Sequence, residues 1–184
     1  MRKAMLVIGG GIAVTMFAAA PAALAATGGA PGSPHFIVSQ TSDSIAANGS
    51  LVAQFKEAGL PSGAVEHIVL DATATANWFC VNGGSHNPSA SNKRSVSTPV
   101  SASGDFGPVD RNGNLVGSLT ISSASLVPVG FSCPSGQTLT LGSVSYTDVS
   151  ISDDTSGAYL QLADRSSGCL LNGVKFAKDV ACVG

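Results

Sequence analysis

One stretch gathers most of the side chains that could do chemistry at short range. It holds Asn82, Ser85, His86, Asn87, Asn92, Lys93 and Arg94, and it follows directly on Cys80. Gly83-Gly84 permits backbone angles closed to other residues. Amide, hydroxyl, imidazole and guanidinium groups together supply donors for a polar ligand such as a sugar. The same composition also suits a solvated connection braced by a neighbouring disulfide. His86 with its polar neighbours is the one arrangement on which a small secreted hydrolase could be built. No Gly-x-Ser-x-Gly elbow is present, and no Ser, His and Asp set stands out in support of it.

Other constellations point to structure instead. Asp110-Arg111-Asn112-Gly113-Asn114 sets oxygen-bearing side chains at alternate positions, as a calcium loop does. Such a loop also needs a bidentate Glu at its twelfth position, and that position here is Ile121. Asn-Gly between apolar flanks predicts a hairpin turn. His67 and Asp71 share one face of an extended strand but lie roughly 13 Å apart on it, too far to pair. Asp148, Asp153 and Asp154 could supply paired carboxylates, yet an acidic loop beyond a strand reads as solvated surface. No Cys/His spacing suits zinc, and phosphate-loop and dinucleotide fingerprints are missing. No metal or cofactor is expected, and binding without catalysis is the preferred reading.

Residues 1–26 have the layout of an export signal. Arg2 and Lys3 give a positive start, residues 4–20 are apolar, and Ala23-Leu24-Ala25 fits the small-x-small cleavage pattern. The segment is almost long enough to span a bilayer. Gly9-Gly10-Gly11, Pro21 and the small-residue exit favour cleavage instead. The expected product is a released extracellular chain without a stable membrane anchor, with a flexible leader at 27–34 and a single β domain at 35–184. Without Arg2 and Lys3, seven Lys plus Arg face eleven Asp plus Glu, a formal charge of −4. Lys93-Arg94 is the only adjacent basic pair in that part, so no nucleic-acid partner is expected.

The element that must position the loop is 66–80. Every second residue gives Ile68, Leu70, Ala72, Ala74, Ala76, Trp78 and Cys80 on one face, with His67, Val69, Asp71, Thr73, Thr75, Asn77 and Phe79 on the other. This is the period of a half-buried strand. Fifteen residues span roughly 50 Å, which predicts a bend or bulge near 72–75, where the strand changes sheets or wraps a barrel. Further strands are predicted at 35–40, 50–57, 96–102 (at an edge or a bulge, because of Pro99), 115–122, 138–152 (one long strand or two short ones), 158–162 and 170–177. Residues 126–131, with Pro128, read as irregular or as an edge strand. A parity switch between Leu141 and Val144 predicts a bulge near Gly142. The fold class is all-β, an antiparallel Ig-like sandwich or a partly closed barrel.

Cys80, Cys133, Cys169 and Cys182 all lie beyond the signal, and an even number in an oxidising compartment predicts two disulfides. Three pairings are possible. Cys80–Cys133 with Cys169–Cys182 is preferred. The second pair closes a short loop with a hairpin signal at Asn172-Gly173, and the first ties the long strand's end to the turn at Pro134-Ser135-Gly136. Trp78 shares a face with Ile68, Leu70 and Cys80, which predicts a ring buried against the disulfide rather than an exposed sugar platform.

The run W-F-C-V-N-G-G-S-H-N-P-S-A-S-N-K-R, followed by F-S-C-P-S-G-Q-T-L and S-V-S-Y-T-D-V-S-I-S-D, resembles a family of small secreted bacterial proteins. They share a Cys-Val-Asn-Gly-Gly loop, a downstream Asn-Lys, a Cys-Pro-x-Gly-Gln turn and a Val-Ser-Tyr-Thr strand. The resemblance covers residues 50–154. It implies export and a shared β domain, and it brings no activity with it. The expected function is an exported, non-catalytic module for extracellular or cell-surface interaction. The expected partner is a cell-wall polysaccharide or an extracellular protein.

Overall fold

The computed structural model describes residues 32–82 and 92–171. In chain order its strands are β1 (His35–Phe36), β2 (Ser42–Ile45), β3 (Leu51–Ala58), β4 (Glu66–Asn82), β5 (Lys93–Phe106), β6 (Asn114–Ile121), β7 (Gln137–Asp153), β8 (Tyr159–Gln161) and β9 (Arg165–Ser166). All ladders are antiparallel, and the strands form two sheets packed face to face. In the smaller sheet, β3 lies between β6 on one side and β2 and β1 on the other. The larger sheet runs β5-β4-β7, with β8 and β9 along the far side of β7. The sandwich is therefore the architecture that forms.

The long strand is 17 residues, and it stays in one sheet for its whole length instead of crossing to another. Two bulges in β7 let it do so, because each relieves the twist and register that accumulate along a ladder. Near Ala72, Asp148 and Val149 stand opposite a single β4 residue, and Asp148 takes a left-handed φ of 54°. At the second, Gly142 is the extra residue between Asn77↔Ser143 and Trp78↔Leu141. A Cβ at Gly142 would collide with the Phe79 ring, so any other residue there must displace that ring. The expected strand at 35–40 stops after two residues and gives way to a 3₁₀ turn, Val38–Gln40. Pro99 lies in β5, which pairs on one side only and so tolerates a residue without an N–H. Residues 32–34, expected within the leader, lie against the turn at Gly59.

Between the sheets, Leu51, Ala53 and Phe55 of β3 meet Ile68, Leu70 and Ala74 of β4 and Tyr146, Val149 and Ile151 of β7. The small Ala72, Ala74 and Ala76 leave room for Tyr146, which pairs across the ladder with Ala74. Burial is complete for this tyrosine, its hydroxyl donates to the Gly49 carbonyl at 2.8 Å, and desolvation pushes its pKa up to about 12.

The strands β4 and β7 have 17 residues each against 8 in β3 and β6. The larger sheet therefore overhangs the smaller by up to roughly 30 Å. A segment after β6 roofs the overhang. Trp78 is buried there as expected, and its indole Nε1–H donates to the Leu126 carbonyl at 2.8 Å, at the end of the 3₁₀ turn Ser123–Leu126. Cys80 and Cys133 are disulfide-bonded with their Cα atoms 5.4 Å apart, so the preferred first pair is present. Cys169 is also disulfide-bonded, while its expected partner Cys182 lies outside the described residues.

Candidate functional site

Of the loop that sequence singled out, Ser85, His86 and Asn87 lie outside the described residues, and its two roots are in view. Asn82 ends β4 opposite Gln137, and the Gln137 side chain accepts a hydrogen bond from Asn92 Nδ2 at 3.1 Å. Lys93 and Arg94 part company, because neighbouring side chains on a strand point to opposite faces. Lys93 stacks over the Phe79 ring and Arg94 over the Phe131 ring, each 5.9 Å from the centroid. The structure thus brings Asn82, Asn92 and Gln137 together and separates the two cations.

On the outer face of the large sheet, Lys93 adjoins a surface that sequence reasoning did not single out. Register places Ser97, Thr75 and Ser145 in one row across β5, β4 and β7, and Ser95, Asn77 and Ser143 in the next. Neighbouring strands lie about 4.8 Å apart, and successive outward residues on one strand about 6.7 Å apart. Thr75 and Ser97 hydroxyls share a hydrogen bond of 3.0 Å, and Asn77 Nδ2 donates to the Ser143 hydroxyl at 3.0 Å. These internal bonds fix the rotamers. Ser95 and Ser97 are exposed, Thr75, Asn77 and Ser145 are half-buried with donor and acceptor sites still facing outward, and Ser143 is buried beneath them. Both rows are free of ionisable side chains. The Thr and Ser alternation is visible in the sequence, but only the register aligns three strands into rows.

A third group lies at the opposite end of β4 and is hidden from solvent. Glu57 of β3, Glu66 of β4 and Asp153 of β7 are 0 %, 2 % and 1 % exposed. This corrects the reading of Asp153 as solvated surface, while Asp148 and Asp154 are exposed as expected. Asp153 Oδ1 accepts the N–H groups of Thr155 and Ser156 at 2.7 and 3.2 Å. Ser156 Oγ accepts from the Ala158 N–H and donates to Glu57 Oε1 at 2.9 Å. Both glutamates are in hydrogen-bonding reach of Asp153. Burial, first, and then the neighbouring carboxylates push Glu57 up to about 7 against the opposing Ser156 bond. Glu66 is raised by burial and by Asp153.

Just outside this end, His67 Nδ1 lies 2.6 Å from Asp105 Oδ1, its partner across the β4–β5 ladder. The pair His67 makes is therefore with Asp105, and the bond to Asp105 raises the imidazole pKa. Asp110 folds back on its own turn, accepting from the N–H groups of Asn112 and Asn114 at 2.8 Å each. These bonds use the carboxylate as a turn former and hold its pKa down, the Asn114 N–H foremost. Among the described residues, no three His, Cys, Asp or Glu side chains are placed to hold a metal ion.

Comparison of the chain with known protein families, with curated proteins and with solved structures finds no match.

Proposed function

We propose that the chain is an exported, non-catalytic binding module whose ligand is a neutral, hydroxyl-rich polymer, a cell-wall polysaccharide by chemical class. The observation that carries this reading is the pair of uncharged rows on the outer face of β4, β5 and β7. A hydroxyl or amide both donates and accepts, so such rows match sugar hydroxyls without desolvating a charge. An extended polymer can follow the strand direction and meet one row after another. Lys93 stacked on Phe79 closes one end of the strip next to the Asn82–Asn92 roots. Export is supported by the layout of residues 1–26 and by the Cys80–Cys133 bond, which suits an oxidising compartment. The resemblance to small secreted bacterial proteins agrees with both.

Co-sedimentation of the purified chain with insoluble cell-wall polysaccharides tests the reading. Binding is expected, and Thr75→Lys, which plants a charge and a long side chain in the central row, is expected to weaken it at least about tenfold, equivalent to about 1.4 kcal/mol. Equal binding by Thr75→Lys, or none to any neutral polymer, would overturn it.

A further inference from the structure

We propose that Glu57, Glu66 and Asp153 form a proton-operated clasp between the two sheets, closed while both glutamates carry protons and released when they ionise. Glu57 Oε2, Glu66 Oε2 and Asp153 Oδ2 are all buried, and as three carboxylates they have no hydrogen-bond partner. A buried polar atom without a partner is strongly unfavourable, and three like charges in one pocket more so. Two protons remove both problems. The Oδ1 atom of Asp153 is occupied by N–H donors and Oε1 of Glu57 by the Ser156 hydroxyl, so the unsatisfied oxygens are those left to face one another. With protons on the two Oε2 atoms, Glu57 and Glu66 each donate to Asp153, and every orphan gains a partner.

Among the described residues, no cation is paired with these acids to do this instead. Phe36 of β1 and Leu115 of β6 flank Glu57, and Phe106 of β5 lies opposite Glu66. The nearby charged groups are engaged elsewhere or exposed. His35 bonds the Ser33 carbonyl, His67 pairs with Asp105 on the outer face, Lys56 acts on Asp110, and Arg111 and Asp154 are exposed. The contrast with Asp43 is informative. That carboxylate, 7 % exposed in β2, receives a two-bond fork from Arg165 of β9 at 2.7 and 3.0 Å, and it too joins the sheets. The buried carboxylate of Asp43 faces an arginine, and that of Glu57 faces two more acids.

Because Glu57 belongs to the small sheet and its partners to the large one, ionisation sets repulsion across the interface at the end of the sandwich. The proposal is independent of the polysaccharide reading. The test is the urea midpoint and the hydrogen exchange of β3 and β4 amides, followed between about pH 5 and about pH 8 in wild type and in E57Q/E66Q. Glutamine keeps the donor to Asp153 at every pH. The wild-type midpoint is expected to fall as pH rises, and exchange at this end to gain protection loss beyond that of the rest of β4, while the double variant stays level. Matching profiles for the two proteins would overturn the clasp. Should the variant not fold, the infrared band of protonated carboxyl groups in the wild type decides. It is expected at neutral pH in D₂O and to vanish in alkali, and its absence at neutral pH would overturn the clasp.

Discussion

Glu66 begins β4 and Cys80 stands near its other end, and the fold closes over each by different means. At the Cys80 end, the large sheet runs past its partner and is roofed by an irregular segment, which a disulfide and the Trp78–Leu126 hydrogen bond hold down. At the Glu66 end, the two sheets meet directly, and what joins them is a set of three buried acids and a serine hydroxyl. A covalent bond holds whatever the proton activity, whereas a carboxyl–carboxylate hydrogen bond exists only while its proton does. One strand thus carries a fixed end and a titratable end.

The largest effect is expected at the fixed end. Replacing Cys80 and Cys133 by Ala frees a loop closed over a sequence separation of 53, and should remove about 4 kcal/mol in the chain-entropy account. Urea denaturation checks this, and the loss should be the same size in acid and at neutral pH. A loss that varied strongly with pH would mean that the two ends are not separate.

Next comes the titratable end. Glu57 has a folded pKa of about 7 against an ordinary value of 4.5. A raised carboxyl pKa means that stability is fully present below about pH 4.5 and declines as pH rises through about 7, since the unfolded chain gives up its proton first. The displacement corresponds to roughly 3 kcal/mol from this side chain, which is buried throughout. Calorimetry from acid to neutral pH should show the decline, and E57Q should remove most of it.

A smaller loss is expected from Gly142→Ala, again at the Cys80 end. The added Cβ collides with the Phe79 ring, and displacement of that ring should cost about 1–3 kcal/mol. Thermal unfolding measures it. The smallest change is expected for the double variant Thr75→Ala, Ser97→Ala on the outer face. Its stability should stay within about 0.5 kcal/mol of wild type, while polysaccharide co-sedimentation falls. That outcome separates a surface used for binding from the two ends used for closure.

Periodicity made the fixed end legible and left the titratable one out of sight. Alternation over 66–80, with Trp78 and Cys80 on its apolar face, located the long strand, the buried ring and the first disulfide. The parity switch at Leu141 and Val144 located the bulge at Gly142, because an extra residue moves every later side chain to the other face. By contrast, β2 carries Asp43 inward where an apolar residue would signal a strand, and its partner Arg165 lies 122 residues on. Glu57 and Glu66 occupy inward positions of their strands, but a carboxyl at an inward position near a strand end looks the same whether solvated or buried. Nothing local in the sequence tells that three such residues meet. The rows of hydroxyls were hidden for a related reason: they depend on the registers of β4 with β5 and β7, which no single segment contains.

The most direct measurement is the ¹³C chemical shift of the Glu57 side-chain carboxyl, followed through a pH titration of the wild-type protein. The proton clasp predicts a midpoint near 7, well above the ordinary 4.5, with the Glu66 carboxyl also displaced upward. Titration of both glutamates at ordinary carboxylate values would contradict it.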